Sequence, residues 1–221
     1  YMITRDQITQ SLQTISESAS VFKTSLRQSN NLKCDLSETE TERFFSTSLE
    51  KFGFKVTDEN NQAVSKIAKN TFMPEKLRGY LLQGDYDTGK TFFSKIYVNI
   101  INSIKDKSAI YFTANDISRF FRNEKMVING NEFGIEYLWK YKIIIVDDIG
   151  TESSEVQCFG TKLQPITEMI HQRYDKNLSI WITTNIDQVS FAKIYGERIT
   201  SRLKEMSYAV IFKGKDLYRG K

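Results

Sequence analysis

Hydrophobic positions change their period along the chain, and those changes divide it. Ile8, Leu12, Ile15, Ala19, Phe22 and Leu26 recur at steps of 4, 3, 4, 3 and 4. That seam suits a long helix lying against another surface, either the chain's own or a partner's. Residues 28–36 read as a linker. Ser37-x-x-Glu40 makes a capping-box pattern ahead of a helix that carries Phe44, Phe45 and Leu49 and stops near Gly53. Thr57 to Asn61 reads as a break, and Ala63, Val64, Ile67 and Ala68 belong to a further helix running up to Phe72-Met73-Pro74. The pattern predicts a small helical region over residues 1–56 and a larger domain over 57–221.

In the larger domain, short apolar runs alternate with helical periods. Strands are expected at 79–83, 109–113, 142–146, 179–183 and 208–212. Helices are expected over 89–104, from Asn115-Asp116 through Phe121, around Ile135 to Leu138, over about 188–194 and from Arg198 to Met206. Another should carry Phe159, Leu163, Ile166, Met169 and Ile170. Residues 129–133 read as irregular and 150–155 as a polar loop. Strands separated by helices predict an α/β three-layer fold with a mostly parallel five-stranded sheet. Its ligand-binding turns should lie at the carboxyl ends of the strands.

The first strand leads into Gly84-Asp85-Tyr86-Asp87-Thr88-Gly89-Lys90-Thr91, the G-x-x-x-x-G-K-T pattern of a phosphate-binding loop. Glycine lets such a loop wrap around phosphate oxygens, and the next helix offers unpaired N–H groups in its first turn. Lys90 can reach the β- and γ-phosphates, and the Thr91 hydroxyl can ligate Mg²⁺. The run Ile143-Ile144-Ile145-Val146 ends in Asp147-Asp148. Asp147 is the candidate metal holder and Asp148 the candidate orienter of an attacking water. Asn185, at another strand end, either senses the γ-phosphate or is an ordinary strand-end residue. Arg198 and Arg202 lie four apart and share a helical face, fit either to neutralise transition-state charge across a subunit interface or to pair with Glu197 or Glu205. His171 reads as a surface residue at a helix end. These motifs predict an ATPase that uses ATP and Mg²⁺.

Charge adds little. The net value is +4, with 7 basic and 9 acidic side chains in residues 1–65 and 24 and 18 in the remainder. The basic tail of Lys213, Lys215, Arg219 and Lys221 either touches a phosphate backbone or keeps the end solvated. Cys34 and Cys158 lack metal-ligand spacing, so a reducing, cytoplasmic setting is expected. No apolar run is long enough to span a membrane.

Taken together, these pieces resemble the bacterial replicative helicase loaders of the DnaC and DnaI type and the IstB-type ATPase helpers of insertion sequences, all AAA+ ATPases. The resemblance covers roughly residues 60–221 and rests on GDYDTGKT at 84–91, YFTANDI at 111–117, IIIVDDIG at 143–150, ITTN at 182–185, YGERITSRL at 195–203 and KDLYRG at 215–220. It implies that Lys90 and Thr91 are the Walker A pair, Asp147 and Asp148 the Walker B pair, and Asn185 sensor 1. Arg198 and Arg202 fall in the segment that carries the arginine finger and a second ATP-contacting arginine. It further implies a replicative DNA helicase and single-stranded DNA as partners, an ATP-dependent homo-oligomer, and an ATPase domain without a helical lid. A transposase in place of the helicase, or a non-hydrolysing ATP-binding adaptor, are the alternatives. Asp87 stands where the family has glycine, which predicts reduced nucleotide affinity or turnover. Residues 1–56 contain Cys34 but no histidine, so a docking region there would be metal-free.

Overall fold

The computed structural model describes residues 38–71, 79–104, 109–128, 130–153, 155–158 and 160–214. The Ile8–Leu26 seam, the 28–36 linker, the Ser37 cap, Phe72-Met73-Pro74, Phe159, and the tail positions Lys215, Arg219 and Lys221 lie outside them. The described residues fall into two compact units. One contains residues 38–71, 85–104 and 212–214, and the other contains 79–84 and 109–211.

The second unit is built on a five-stranded sheet of β1 (Gly79–Gln83), β2 (Ala109–Thr113), β5 (Ile143–Ile149), β8 (Ser179–Thr184) and β9 (Ser207–Ile211), in the order β2-β5-β8-β1-β9. Every pairing in it is parallel. Ile143 to Val146 and all six residues of β8 are buried, which is why Ile143–Val146 and Ile180–Ile182 are unbroken apolar runs rather than alternating ones. On the sheet pack α4 (Ala114–Phe121), α6 (Pro165–Asp175), α7 (Gln188–Tyr195) and α8 (Glu197–Met206). Ile117, Phe120, Ile166, Met169, Ile170, Phe191, Ile199 and Leu203 form one core with Phe112, Val146 and Ile182. The fold is the α/β, three-layer, P-loop NTPase architecture of AAA+-like type.

The first unit gathers α1 (Glu38–Lys51), α2 (Asp58–Thr71) and α3 (Lys90–Ile104). Aromatic contacts hold it. Phe45 lies 5.8 Å from Tyr97, Phe54 5.6 Å from Phe93, and Phe93 5.1 Å from Phe212, centroid to centroid.

Three segments differ from the pattern-based expectation. Residues 126–133 form a hairpin, β3 (Met126–Ile128) and β4 (Asn131–Phe133), turned at Gly130 with φ +77°, where an irregular stretch was predicted. A second hairpin, β6 (Val156–Cys158) and β7 (Thr161–Leu163), occupies the start of the predicted helix, so Leu163 is on a strand. The helix itself waits for Pro165, whose fixed φ and missing N–H suit a first helical position. Finally, α2 begins at Asp58, inside the predicted break. The Asn60 side chain accepts the Thr57 N–H at 2.9 Å, and Asp58 and Glu59 complement the helix dipole. The short α5 (Tyr137–Lys140) lies where a helix was expected.

Candidate functional site

The carboxylates lie at a β-bulge. Val146 faces Ile182 of β8, and the next paired residues are Ile149 and Thr184. Asp147 and Asp148 therefore share the single residue Thr183 on the neighbouring strand. The extra residue takes Asp148 into the left-handed region, φ +63°. A bulge leaves a backbone N–H without its ladder acceptor, and here Asp148 N donates to Thr183 Oγ1 at 2.8 Å. The same threonine donates to Asp147 Oδ1 at 2.6 Å. From β2, on the other side of β5, Tyr111 Oη donates to Asp147 Oδ2 at 2.7 Å. Burial and then the bond to Asp147 push the Tyr111 phenol well above its ordinary pKa.

Asp147 is only 3% exposed, and each of its oxygens accepts one of these hydroxyls. Asp148 is half-buried and accepts a long contact from Asn185 Nδ2, at 3.4 Å. Asn185 Oδ1 is buried and has no hydrogen-bond partner among the described residues. The structure thus brings Asp147, Asp148 and Asn185 together. It adds two residues for which the sequence suggested no role, Tyr111 and Thr183. Both fall within quoted motifs, but only the strand register shows what their hydroxyls reach.

β1 runs beside β8 with Gln83 opposite Thr184, and Gly84 opens the glycine-rich loop directly after it. Within the loop, Asp85, Tyr86 and Asp87 are exposed and Thr88, Gly89 and Lys90 are buried. Lys90 Nζ donates to the Asp85 carbonyl at 2.7 Å and to Thr88 Oγ1 at 3.2 Å, and Thr88 Oγ1 donates to the same carbonyl at 2.9 Å. Gly89 has φ +82°. Asp87 has φ +62°, a conformation that costs an L-residue conformational energy. Lys90 and the exposed Thr91 open α3, whose first-turn N–H groups suit an anion.

The two arginines differ. Arg198, in the first turn of α8, is exposed and has no ion pair among the described residues. Arg202 is half-buried against α6: its Nη2 lies 3.7 Å from Asp175 Oδ1, and its guanidinium sits 4.8 Å over the Tyr174 ring. Its partner is therefore Asp175, not Glu197 or Glu205. Glu205 instead accepts from Tyr174 Oη at 2.6 Å, and His171 Nδ1 pairs with Asp175 at 2.9 Å.

The oxygen groups at the bulge suit a hard divalent cation. Each oxygen of the buried Asp147 carboxylate accepts a hydroxyl, which holds the group in a fixed plane. Oxygen ligands are what Mg²⁺ takes. The unpartnered Asn185 Oδ1 is a further buried acceptor. Among the described residues no helix is long and apolar enough to cross a membrane.

No family model matches the chain, and no curated protein matches it. Solved structures do. The DnaC helicase loader aligns over 72% of this chain and 92% of its own, with 21% identity and a TM-score of 0.56. DnaI aligns over 74% and 87%, with 20% identity and a TM-score of 0.56. AMPPCP-bound DnaA from Aquifex aeolicus covers 77% of this chain and 51% of its own, with 17% identity and a TM-score of 0.51. The likeness is one of fold.

Proposed function

We propose that this chain is an ATP-dependent accessory protein of DNA replication that binds a replicative helicase and single-stranded DNA and works in the cytoplasm. The observation that carries the reading is the Asp147–Asp148 bulge beside Thr183 and Asn185, in a sheet whose β1 leads into Gly84 to Thr91. In this reading, residues 84–91 cradle the phosphates, with Lys90 on the β- and γ-groups. Thr91 and Asp147 hold Mg²⁺, which when bound neutralises phosphate charge. Asp148 and Asn185 orient the attacking water. Arg198, exposed and without an ion pair among the described residues, serves a neighbouring copy in an ATP-dependent homo-oligomer. Arg202 would first have to leave Asp175 and Tyr174 to reach a nucleotide. The helicase-gripping region is residues 1–56, and 57–221 form the ATPase domain. Single-stranded DNA is bound through its backbone without sequence readout.

The test is affinity capture from the native host with Mg²⁺-ATP, using the full chain, Lys90→Ala, and a double variant of the amino-terminal seam, Ile15→Asp with Phe22→Asp. Recovery of the replicative helicase by the full chain and its loss in both variants support the reading. Recovery of a transposase instead identifies a helper of a mobile element. Tight Mg²⁺-ATP binding with neither partner nor turnover identifies an adaptor, the reading that the left-handed Asp87 favours. A chain that does not bind ATP refutes all three.

A further inference from the structure

Asp147 is nearly sealed from solvent, and two neutral side chains donate to its oxygens. Tyr111 from β2 reaches Oδ2 at 2.7 Å and Thr183 from β8 reaches Oδ1 at 2.6 Å. A lysine or arginine in either place would cancel the carboxylate's charge and compete with a metal for it. Two hydroxyls instead fix the plane of the carboxylate from both sides. Thr183 also serves the bulge, since it accepts the Asp148 N–H. The Tyr111 hydroxyl is directed to the carboxylate.

We propose that Tyr111 is a positioning residue for the Mg²⁺-dependent part of nucleotide binding, acting through Asp147. The proposal rests on the reading of Asp147 as a metal holder. Tyr111 does not contact the cation; it sets the plane and direction in which the Asp147 carboxylate is held. Phenylalanine at this position keeps the ring and its packing but frees Oδ2 to rotate about the Thr183 bond.

The test is equilibrium binding of a fluorescent ATP analogue to the full chain, first with Mg²⁺ chelated and then along a Mg²⁺ titration. Parent, Tyr111→Phe, Thr183→Val and Asp147→Asn are compared. Partners that orient a metal ligand are typically worth 10–100-fold in metal affinity, so Tyr111→Phe should raise the Mg²⁺ midpoint by about 10-fold. Its binding without Mg²⁺ should stay within about twofold of the parent's, whereas Asp147→Asn should remove the Mg²⁺ response. Thr183→Val, which deletes the donor to the other oxygen, should raise the midpoint in the same direction. An unshifted midpoint in Tyr111→Phe overturns the proposal while the ATPase reading stands. Equal loss of binding with and without Mg²⁺ also overturns it, by showing a general structural role. A parent chain without Mg²⁺-dependent binding overturns the reading beneath the proposal and the proposal with it.

Discussion

Arg173 is the most consequential buried charge away from the carboxylates, and its removal tests which of two opposed effects wins. It projects from α6 with no exposed surface. Its guanidinium donates to the carbonyls of Leu138, Tyr141, Lys142 and Ser179, joining α5 to the amino ends of β5 and β8. Hydrogen bonds from a charged donor are worth ~1.5–3 kcal/mol each, so four give ~6–12 kcal/mol. Against this stands burial, which pulls the Arg173 pKa down from the ordinary arginine value, by three to four units, to about 9. At ~1.4 kcal/mol per pKa unit, that is roughly 5 kcal/mol against the charged form. The difference is ~1–7 kcal/mol, and we expect Arg173→Met to cost ~3 kcal/mol. Both tryptophans, Trp139 and Trp181, lie in the same compact unit as Arg173, so urea unfolding followed by their fluorescence reports on it. A lower midpoint at unchanged slope is expected. An unchanged or raised midpoint would show that desolvation outweighs the four bonds, as it does for some buried ion pairs, and would refute the reasoning.

Three further perturbations follow from single features. A Cβ on Gly79 would lie 1.5 Å from the Ile180 carbonyl oxygen, so Gly79→Ala should part β1 from β8 and cost ~3 kcal/mol or more, visible in the same urea assay. Asp87→Gly removes a left-handed Asp and its charge from the glycine-rich loop, and on the proposed reading should tighten ATP binding by ~5-fold, measured by calorimetry; unchanged affinity would acquit the residue. Burial and carboxylate acceptors, Asp147 for Tyr111 and Glu152 for Tyr195, raise both phenols above their ordinary 10.0. Because the folded pKa values exceed the unfolded ones, this stability is complete below pH 10 and is lost as the pH rises above it. A pH series of urea midpoints from 8 to about 11 should fall less steeply in Tyr195→Phe than in the parent.

The large strands were legible because parallel strands covered on both faces are written as unbroken apolar runs, such as Ile143 to Val146. The hairpins were not, because three-residue strands such as Thr161–Leu163 are too short to show a period. Leu163 and Ile166 even sit at a helical spacing, and only Pro165 marks where the helix starts. The glycine-rich pattern at Gly84 to Thr91 and the paired aspartates stand out by local spacing. Tyr111 and Thr183 do not, since each is 36 residues from Asp147 and meets it through register alone. Arg202 is similar: its contact with Asp175 joins separate helices, so nothing local to its own helix reveals it.

The bulge explains how two adjacent carboxylates can be used differently. In a regular strand, consecutive side chains point to opposite faces, and the ladder claims every inner N–H. Placing Asp147 and Asp148 opposite Thr183 alone breaks that rule at one point. Asp147 becomes the buried, doubly hydrogen-bonded carboxylate, and Asp148 the half-buried one beside Asn185. The left-handed Asp148 backbone costs on the order of 1–2 kcal/mol, and the Asp148 N–H bond to Thr183 offsets part of it. The hydroxyl that accepts this N–H also donates to Asp147. The strained backbone and the orientation of the metal-holding candidate therefore depend on one side chain, so neither can relax without moving the other.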